Sequence, residues 1–173
     1  GVGSIAIQFG KLAGLTVIAT ASRPETIDWV KKLGADQVIN HRNPLNDELT
    51  AIGIAHVDYI LCTSETDQYF DVMAEIIAPQ GRIATITEAS ENHNVDLLKA
   101  KSASFSYEFM FTRSMFLTPD MIEQHKLLAT VADLIDAGTL KNTANESFGA
   151  LTPESLRKAH ALLESGKAIG KIT

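Results

Sequence analysis

The chain begins with a glycine-containing turn, Gly1-Val2-Gly3, which leads directly into a helical pattern. Glycine before a helix N-terminus lets a phosphate approach the backbone, where free N–H groups and the helix dipole favour an anion. Alone, this turn is a weak signal, because turns of the same composition occur in many loops. It predicts anion binding, and an ordinary tight turn is the alternative.

A second polar corner follows about twenty residues further along the chain, the usual spacing in dinucleotide-binding folds. Ser22 and Arg23 come there after an apolar, β-branched run. In such a fold this position meets the adenosine ribose, and an acidic residue selects the free 2′-hydroxyl. Here no acid is present, and a hydroxyl and a guanidinium suit a 2′-phosphate instead. The alternative is that Arg23 is a solvated residue that opens a helix.

The other residues that could do chemistry show no catalytic or metal-binding pattern. Four histidines lack ligand spacing with one another or with the single cysteine, and we interpret them as surface or satisfied core residues: His56, His93, His125 and His160. Cys62 lies in an apolar run and is predicted to be a small buried residue. Asp67 and Asp71 have helical spacing, which a solvated helix face explains. No catalytic residue and no metal ligand are assigned.

Alternating helices and strands must position these residues. The predicted helices span 4–13, 24–34, 43–53 and 66–78, and the predicted strands span 15–21, 36–40, 57–63, 82–87 and 102–111. Pro79-Gln80-Gly81 is predicted to end the last of these helices. Short apolar strands that alternate with helices are typical of a parallel sheet covered on both faces. The predicted fold class is therefore α/β, with a Rossmann-like, doubly wound parallel sheet.

The pattern changes after residue 111. A long helix from about 120 to 138 has an apolar stripe that we expect to pack on the sheet: Met121, Leu127, Leu128, Val131, Leu134 and Ile135. A strand at 141–149, a helix at 152–166 and a strand at 168–173 follow. This tail does not extend the doubly wound pattern. We therefore predict a nucleotide-binding domain at 1–138 and a separate C-terminal segment at 139–173.

Composition excludes several classes of protein. The chain has 173 residues, is 45% hydrophobic and 21% charged, and has a net charge of −6 with no basic cluster. A nucleic-acid partner is not expected, because such binding needs a positive surface. No apolar run is long enough to span a membrane. A single cysteine excludes a disulfide framework and favours a reducing, cytoplasmic location.

Five segments occur in an order that resembles a known family: GVGSIAIQFGKLAG, TVIATASRPE, KKLGADQVINHR, IAPQGRIATI and LRKAHALLESGKAIGKI. Together they resemble the medium-chain dehydrogenase/reductase superfamily. The most similar branch is that of quinone oxidoreductase-like, or zinc-type alcohol dehydrogenase-like, proteins. The resemblance implies that a GroES-like catalytic domain and the first strand of the nucleotide-binding sheet precede Gly1. It also implies that residues 139–173 belong with the catalytic domain.

The same resemblance implies cofactor contacts by residue. Gly1, Val2 and Gly3 match the pyrophosphate turn, Ser22 and Arg23 the 2′-phosphate corner, and His41 a position on the adenosine side. Thr63 and Ser64 fall near the ribose and adenine, and Ile86, Thr87 and Glu88 near the nicotinamide ribose. Glu108, Phe109 and Met110 fall beside the nicotinamide, on a strand that often pairs across a dimer.

The function expected from the resemblance is hydride transfer from NADPH to a quinone, enone or aldehyde. NADP(H) is expected to be preferred over NAD(H), no zinc is expected in this chain, and a homodimer is expected. The 173 residues alone are expected to be inactive, since the groups that position substrate come mostly from the absent half. Two alternatives stay open: a zinc-dependent alcohol dehydrogenase and a nucleotide-binding module without catalysis.

Overall fold

A computed structural model describes all residues, 1–173, and shows a mixed α/β chain with parallel strand pairing. The elements in chain order are α1 Val2–Leu12, β1 Ile18–Thr20, α2 Pro24–Lys32, β2 Gln37–Ile39, α3 Leu45–Ala51, β3 Val57–Cys62, α4 Thr66–Ile76, β4 Ile77–Thr85, a 3₁₀ helix Val95–Lys101, β5 Ser104–Tyr107, α5 Thr112–Met115, α6 Ile122–Asp136, β6 Ala144–Glu146, α7 Pro153–Glu164 and β7 Lys171–Ile172. The predicted α/β class is confirmed. No helix is both long enough and apolar enough to cross a membrane.

The chain divides into two compact units. Unit 1 comprises 1–38 and 126–173, and unit 2 comprises 39–125. The strands form three small sheets, with the orders β1-β2, β3-β4-β5 and β6-β7. The predicted domain boundary at residue 138 stays a prediction.

Unit 1 has a small core in which α1 and α2 meet. Ile7, Ala19 and Leu33 are buried there, and Trp29 packs against them. The indole Nε1 of Trp29 donates a hydrogen bond to Ser4 Oγ at 2.9 Å. The two helices are therefore joined by apolar burial and by one polar contact, which satisfies the partly buried indole N–H.

The core of unit 2 lies between α4 and the three-stranded parallel sheet. Met73, Ile77, Ile83 and Leu98 are buried in it together with Cys62, so the interpretation of Cys62 as a small buried residue is confirmed. Phe70 is 2% exposed and meets the Phe105 ring edge-on, with centroids 5.4 Å apart. This packing fixes α4 against the sheet.

Three predicted features differ from the structure. The strand predicted at 102–111 pairs only over Ser104–Tyr107, because the chain turns after Tyr107 and enters α5. Pro79-Gln80-Gly81 lies inside β4 instead of ending α4, as an irregularity in the pairing with β3 at which Gln80 has a φ of 62°. No residue of α6 is buried. Leu127 and Leu128 are 60% and 59% exposed, so the expected packing of the whole stripe is wrong.

Lys101 holds the end of α4. Its Nζ donates hydrogen bonds to the carbonyl oxygens of Ala74, Glu75 and Ile77, at 3.0, 2.5 and 2.8 Å. The last carbonyls of a helix have no partner within the helix, and a cation there also complements the helix dipole. The Lys101 side chain thus provides hydrogen bonds to three carbonyl oxygens at the point where α4 ends and β4 begins.

Replacing Lys101 by methionine should lower the free energy of unfolding by about 1–2 kcal/mol, because these carbonyls lose a charged donor while the apolar stem is kept. Urea unfolding would measure the change. Lys99→Met, at an exposed position of the same 3₁₀ helix, is the matched control and should have little effect. Equal stability of the two variants would contradict this role for Lys101.

Candidate functional site

The predicted contacts in unit 2 gather at one edge of its sheet. Strands β3, β4 and β5 are parallel, so their C-terminal ends lie side by side. The backbone continues this order past the strands: Ile86 N–H donates to the Cys62 carbonyl at 3.2 Å, and Glu108 N–H donates to the Thr85 carbonyl at 2.8 Å. The edge at which parallel strands end is where ligands bind in open α/β sheets. The structure therefore brings together the backbone of the segments that carry Thr63, Ile86 and Glu108.

The loop after β3 has a fixed shape. Cys62 Sγ donates to the Ser64 carbonyl at 3.0 Å, and Glu65 adopts a left-handed conformation with a φ of 52° before α4 begins. Thr63 is half-buried and Ser64 is exposed. Both hydroxyl side chains thus belong to a loop that is held in place at its base.

Three threonine hydroxyls join α4 to the end of β4. Thr66 Oγ1 shares hydrogen bonds with Thr85 Oγ1 at 2.5 Å and with Thr87 Oγ1 at 2.7 Å, and it lies 3.0 Å from the Thr87 carbonyl oxygen. Thr66 and Thr85 are almost completely buried, at 1% and 0% exposure. Buried hydroxyls are costly unless they are paired, so this cluster fixes the relative position of α4 and Thr87.

Asp67, the next residue of α4, binds the loop that follows β4. Its carboxylate accepts hydrogen bonds from Ser90 N–H at 2.9 Å, Ser90 Oγ at 2.7 Å and Glu91 N–H at 3.3 Å. His93 Nε2 lies 2.7 Å from Asp67 Oδ1, and an ionised carboxylate only accepts, so the imidazole donates. The Ser90 N–H and hydroxyl, followed by His93, hold the pKa of the Asp67 carboxyl far below its usual range. Asp67 is therefore not explained by a solvated helix face, and that interpretation is wrong.

His93 is a satisfied, largely covered residue, as predicted. Its ring stacks on Phe70 with centroids 4.6 Å apart, and its side chain is 13% exposed. Sequence reasoning missed its partner, because Asp67 lies on α4, His93 lies in the loop after β4, and the two share no motif. The signal available was an acidic residue in the first turn of α4, where the helix dipole also favours a negative charge.

Glu108, Phe109 and Met110 lie beyond the end of β5, so their placement on a strand is wrong. Phe109 and Met110 are 51% and 72% exposed. Glu108 is exposed too, and its backbone N–H retains the contact with Thr85. Phe109 therefore does not continue a face of β5, which ends at Tyr107.

His41 lies in the turn after β2 and is half-buried. Its neighbours are fixed by α3: the Asn40 N–H donates to Glu48 Oε2 at 2.7 Å, and Arg42 N–H donates to Asn40 Oδ1 at 3.0 Å. The turn that carries His41 is therefore held by hydrogen bonds, and the contact of His41 with a nucleotide stays a prediction.

In unit 1, the turn Gly1-Val2-Gly3 forms the start of α1. Gly1 is the N-cap, and the Ser4 N–H donates to its carbonyl at 3.1 Å. A Cβ atom added at Gly1 or Gly3 would meet no atom within 4 Å. No other part of the chain therefore crowds the backbone at these two glycines.

Ser22 and Arg23 lie between β1 and α2 and are both half-buried. Arg23 is the N-cap of α2, and its backbone N–H donates to Thr26 Oγ1 at 3.2 Å. Its guanidinium Nη2 donates to the Lys167 carbonyl at 3.3 Å. Arg23 thus opens a helix, as the alternative interpretation expected, and carries four further N–H donors on its guanidinium.

The chain has no cluster of three or more histidine, cysteine, aspartate or glutamate side chains that could hold a metal ion. These residues by themselves therefore do not fit the requirements of a zinc site, and we derive no chemical step through zinc.

Comparison with known proteins identifies the family. The model of the zinc-binding dehydrogenase family matches residues 33–173. The chain belongs to this family. The predicted resemblance to the medium-chain dehydrogenase/reductase superfamily is thereby confirmed. A zinc-type alcohol dehydrogenase-like protein of Staphylococcus aureus is 47% identical over 172 residues, a match that covers 99% of this chain and 51% of the relative. The chain thus spans about half the length of the curated relatives it matches.

Solved structures of this zinc-binding dehydrogenase fold are similar over nearly the whole chain. A provisionally assigned zinc-dependent alcohol dehydrogenase of Rhizobium etli has a TM-score of 0.90 and 46% identity, and the match covers 99% of this chain and 50% of that one. An NAD-dependent alcohol dehydrogenase has a TM-score of 0.78 and 25% identity over 99% of this chain and 47% of that one. Escherichia coli quinone oxidoreductase, solved with NADPH, has a TM-score of 0.77 and 22% identity. The match covers 98% of this chain and 52% of that one, and at this identity it shows only that the fold is shared.

Proposed function

We propose that this chain is the nucleotide-binding part of an oxidoreductase that transfers hydride from NADPH to a quinone, an enone or an aldehyde. The family supports an oxidoreductase, and the relatives and structural neighbours include proteins described as alcohol dehydrogenases and one solved with NADPH. The observation that carries the cofactor choice is the corner after β1. It has Ser22 and Arg23 where an acidic residue would select NADH.

The residues of each unit fit such a cofactor. Unit 1 offers the backbone at Gly1 and Gly3, which no other part of the chain crowds, for phosphate and the Arg23 guanidinium for a 2′-phosphate. Unit 2 offers the loops at the ends of β3 and β4, with Thr63 and Thr87. The bound cofactor supplies the hydride, and the residues of this chain bind and orient it.

The test is an assay of the full-length protein with NADPH or NADH and a panel of quinones, enals and aldehydes. We expect oxidation of NADPH that depends on one of these acceptors and that is faster than oxidation of NADH at equal concentration. Binding of NADPH with no turnover on any acceptor would favour a nucleotide-binding module instead. Absence of binding of either nucleotide would contradict the proposal.

A zinc-dependent alcohol dehydrogenase is the second candidate, favoured by the description of the family and by that of the Rhizobium etli neighbour. Zinc would then need ligands that this chain does not bring together. Elemental analysis of the purified full-length protein distinguishes the two. Our proposal expects far less than one zinc per chain, and one tightly held zinc together with alcohol oxidation would favour the second candidate.

We also propose a homodimer that involves the segment from β5 to α5. Strand β5 has a hydrogen-bonded neighbour on one side only, and unpaired strand edges promote further pairing. The segment that follows exposes several large apolar side chains: Phe109, Met110, Phe111, Met115 and Phe116. Five exposed large apolar side chains within eight residues differ from the singly scattered ones that are normal on the surface of a monomer.

Phe109→Glu should weaken this dimer, because the substitution places a charge in a surface that must be desolvated on association. Light scattering over a dilution series measures the effect, and we expect an increase of about tenfold or more in the dissociation constant. Leu151→Glu in unit 1, at a position that is 85% exposed, is the control. A monomeric unmutated protein at micromolar concentration would contradict the proposal.

A further inference from the structure

The first turn of α4 holds two successive parts of the chain that follow β4. Thr66 binds Thr85 and Thr87 at the strand end, and Asp67 binds Ser90, Glu91 and His93 in the loop beyond. Residues 86–94 contain no helix or strand until the 3₁₀ helix begins at Val95. Side chains of α4 therefore fix a segment that has no regular structure of its own.

The Asp67 contacts converge on one carboxylate. Both of its oxygens are used, Oδ2 by the N–H and hydroxyl of Ser90 and Oδ1 by Glu91 N–H and His93. Hydrogen bonds to an ionised acceptor are about twice as strong as neutral ones, and these four span only four residues of loop. The stacking of His93 on Phe70 extends the attachment into the core.

We propose that Asp67 is a positioning residue for the cofactor, acting through the loop 88–94 on the backbone of Ile86, Thr87 and Glu88. This inference rests on the proposed function, in which the cofactor binds at the loops that follow β3 and β4, and those three residues lie in the loop after β4. Asp67 itself need not touch the cofactor. Its carboxylate holds the far end of the segment while Thr66 holds the near end, so the intervening backbone has one conformation before the cofactor arrives. Preorganisation of this kind lowers the cost of binding.

The competing explanation is that the Asp67 contacts only stabilise the fold, and the two explanations make different predictions. A purely stabilising contact affects the temperature of unfolding, whereas a positioning residue also affects the KM for the cofactor. If the segment must be ordered again when the cofactor binds, the affinity for the cofactor falls, and we expect a loss of about tenfold.

The experiment compares Asp67→Asn with Asp71→Asn in the full-length protein. Both residues lie on α4 one turn apart, both changes remove one negative charge, and Asp71 is exposed. We expect Asp67→Asn to raise the KM for NADPH about tenfold, with a smaller change in kcat, because the loop must then be ordered on binding, and to speed hydrogen exchange at the amides of Ser90 and Glu91. Asp71→Asn should leave both measurements unchanged.

Separate outcomes identify which idea fails. Faster hydrogen exchange in Asp67→Asn with an unchanged KM for NADPH would overturn the positioning role and show that Asp67 only stabilises the loop. Should Asp67→Asn fold poorly, Ser90→Ala and His93→Gln, which each remove one arm of the attachment, serve in its place and should each raise the KM for NADPH. If the unmutated protein neither binds nor oxidises NADPH or NADH, the proposed function fails, and this inference fails with it.

Discussion

Replacing Arg23 by alanine should raise the KM for NADPH by about tenfold to a hundredfold while the KM for NADH changes little. A hydrogen bond between charged partners contributes about 1.5–3 kcal/mol, and only NADPH carries the 2′-phosphate that Arg23 would bind. Steady-state kinetics of the full-length enzyme with each cofactor, at a fixed acceptor concentration, measures both values. The ratio of the two KM changes is the decisive quantity, because a general loss of folding would affect both cofactors alike.

Two controls make this test specific. Lys31→Ala removes a positive charge from an exposed position near the other end of α2, and it should alter neither KM. Arg23 also donates to the Lys167 carbonyl, so the melting temperature of Arg23→Ala must be measured beside the kinetics. If the unmutated enzyme uses NADH and NADPH equally well, Arg23 does not select the cofactor.

The second large effect is expected at Gly170, which precedes β7. Its φ is +70°, a conformation that costs other residues about 1–2 kcal/mol. A Cβ atom there would also collide with the Thr143 carbonyl oxygen, lie 3.0 Å from Asn145 Cβ and approach Trp29. The same Thr143 carbonyl accepts the hydrogen bond from Lys171 N–H at 2.7 Å. Gly170→Ala should therefore disturb the pairing of β6 with β7.

We expect Gly170→Ala to lower the free energy of unfolding by about 2–5 kcal/mol, the combined effect of backbone strain and overpacking. Gly149→Ala is a matched control, since Gly149 has a φ of +75° but no atom within 4 Å of an added Cβ. Gly149→Ala should lower the free energy of unfolding by the backbone strain alone, about 1–2 kcal/mol. Urea unfolding of both variants measures the difference, and equal losses would show that the collision at Gly170 is relieved without cost.

The sequence predicted those parts of the fold that depend on local pattern and on helix signals. The sequence predicts a helix over 24–34, and the structure has α2 at Pro24–Lys32, with Pro24 in its first turn and Gly34 just past its end at a φ of 107°. The start of α7 after Thr152 was also predicted, and a capping box with Ser155 forms there. The ends of these helices are determined by capping and helix-breaking residues nearby in the sequence, so they can be predicted from a single sequence.

Features that depend on distant partners were not predictable. The end of β5 at Tyr107 and the exposure of Leu127 depend on tertiary packing, which overrides local strand and helix patterns, so neither could be deduced from the sequence. The candidate site divides in the same way. The backbone turns at Gly1 and Ser22 have a local signature, whereas Asp67 and His93, which contact each other, are 26 residues apart in the sequence.

Trp29 gives unit 1 an optical reporter of its own. It is the only tryptophan of the chain, and the three tyrosines, Tyr59, Tyr69 and Tyr107, all lie in unit 2. Since Trp29 is hydrogen-bonded to Ser4 and lies against Gly170, its emission will change when the packing of unit 1 is lost. Tyrosine absorbance will follow unit 2. Denaturation recorded through both chromophores can therefore show directly whether the two units unfold in one cooperative transition or in two.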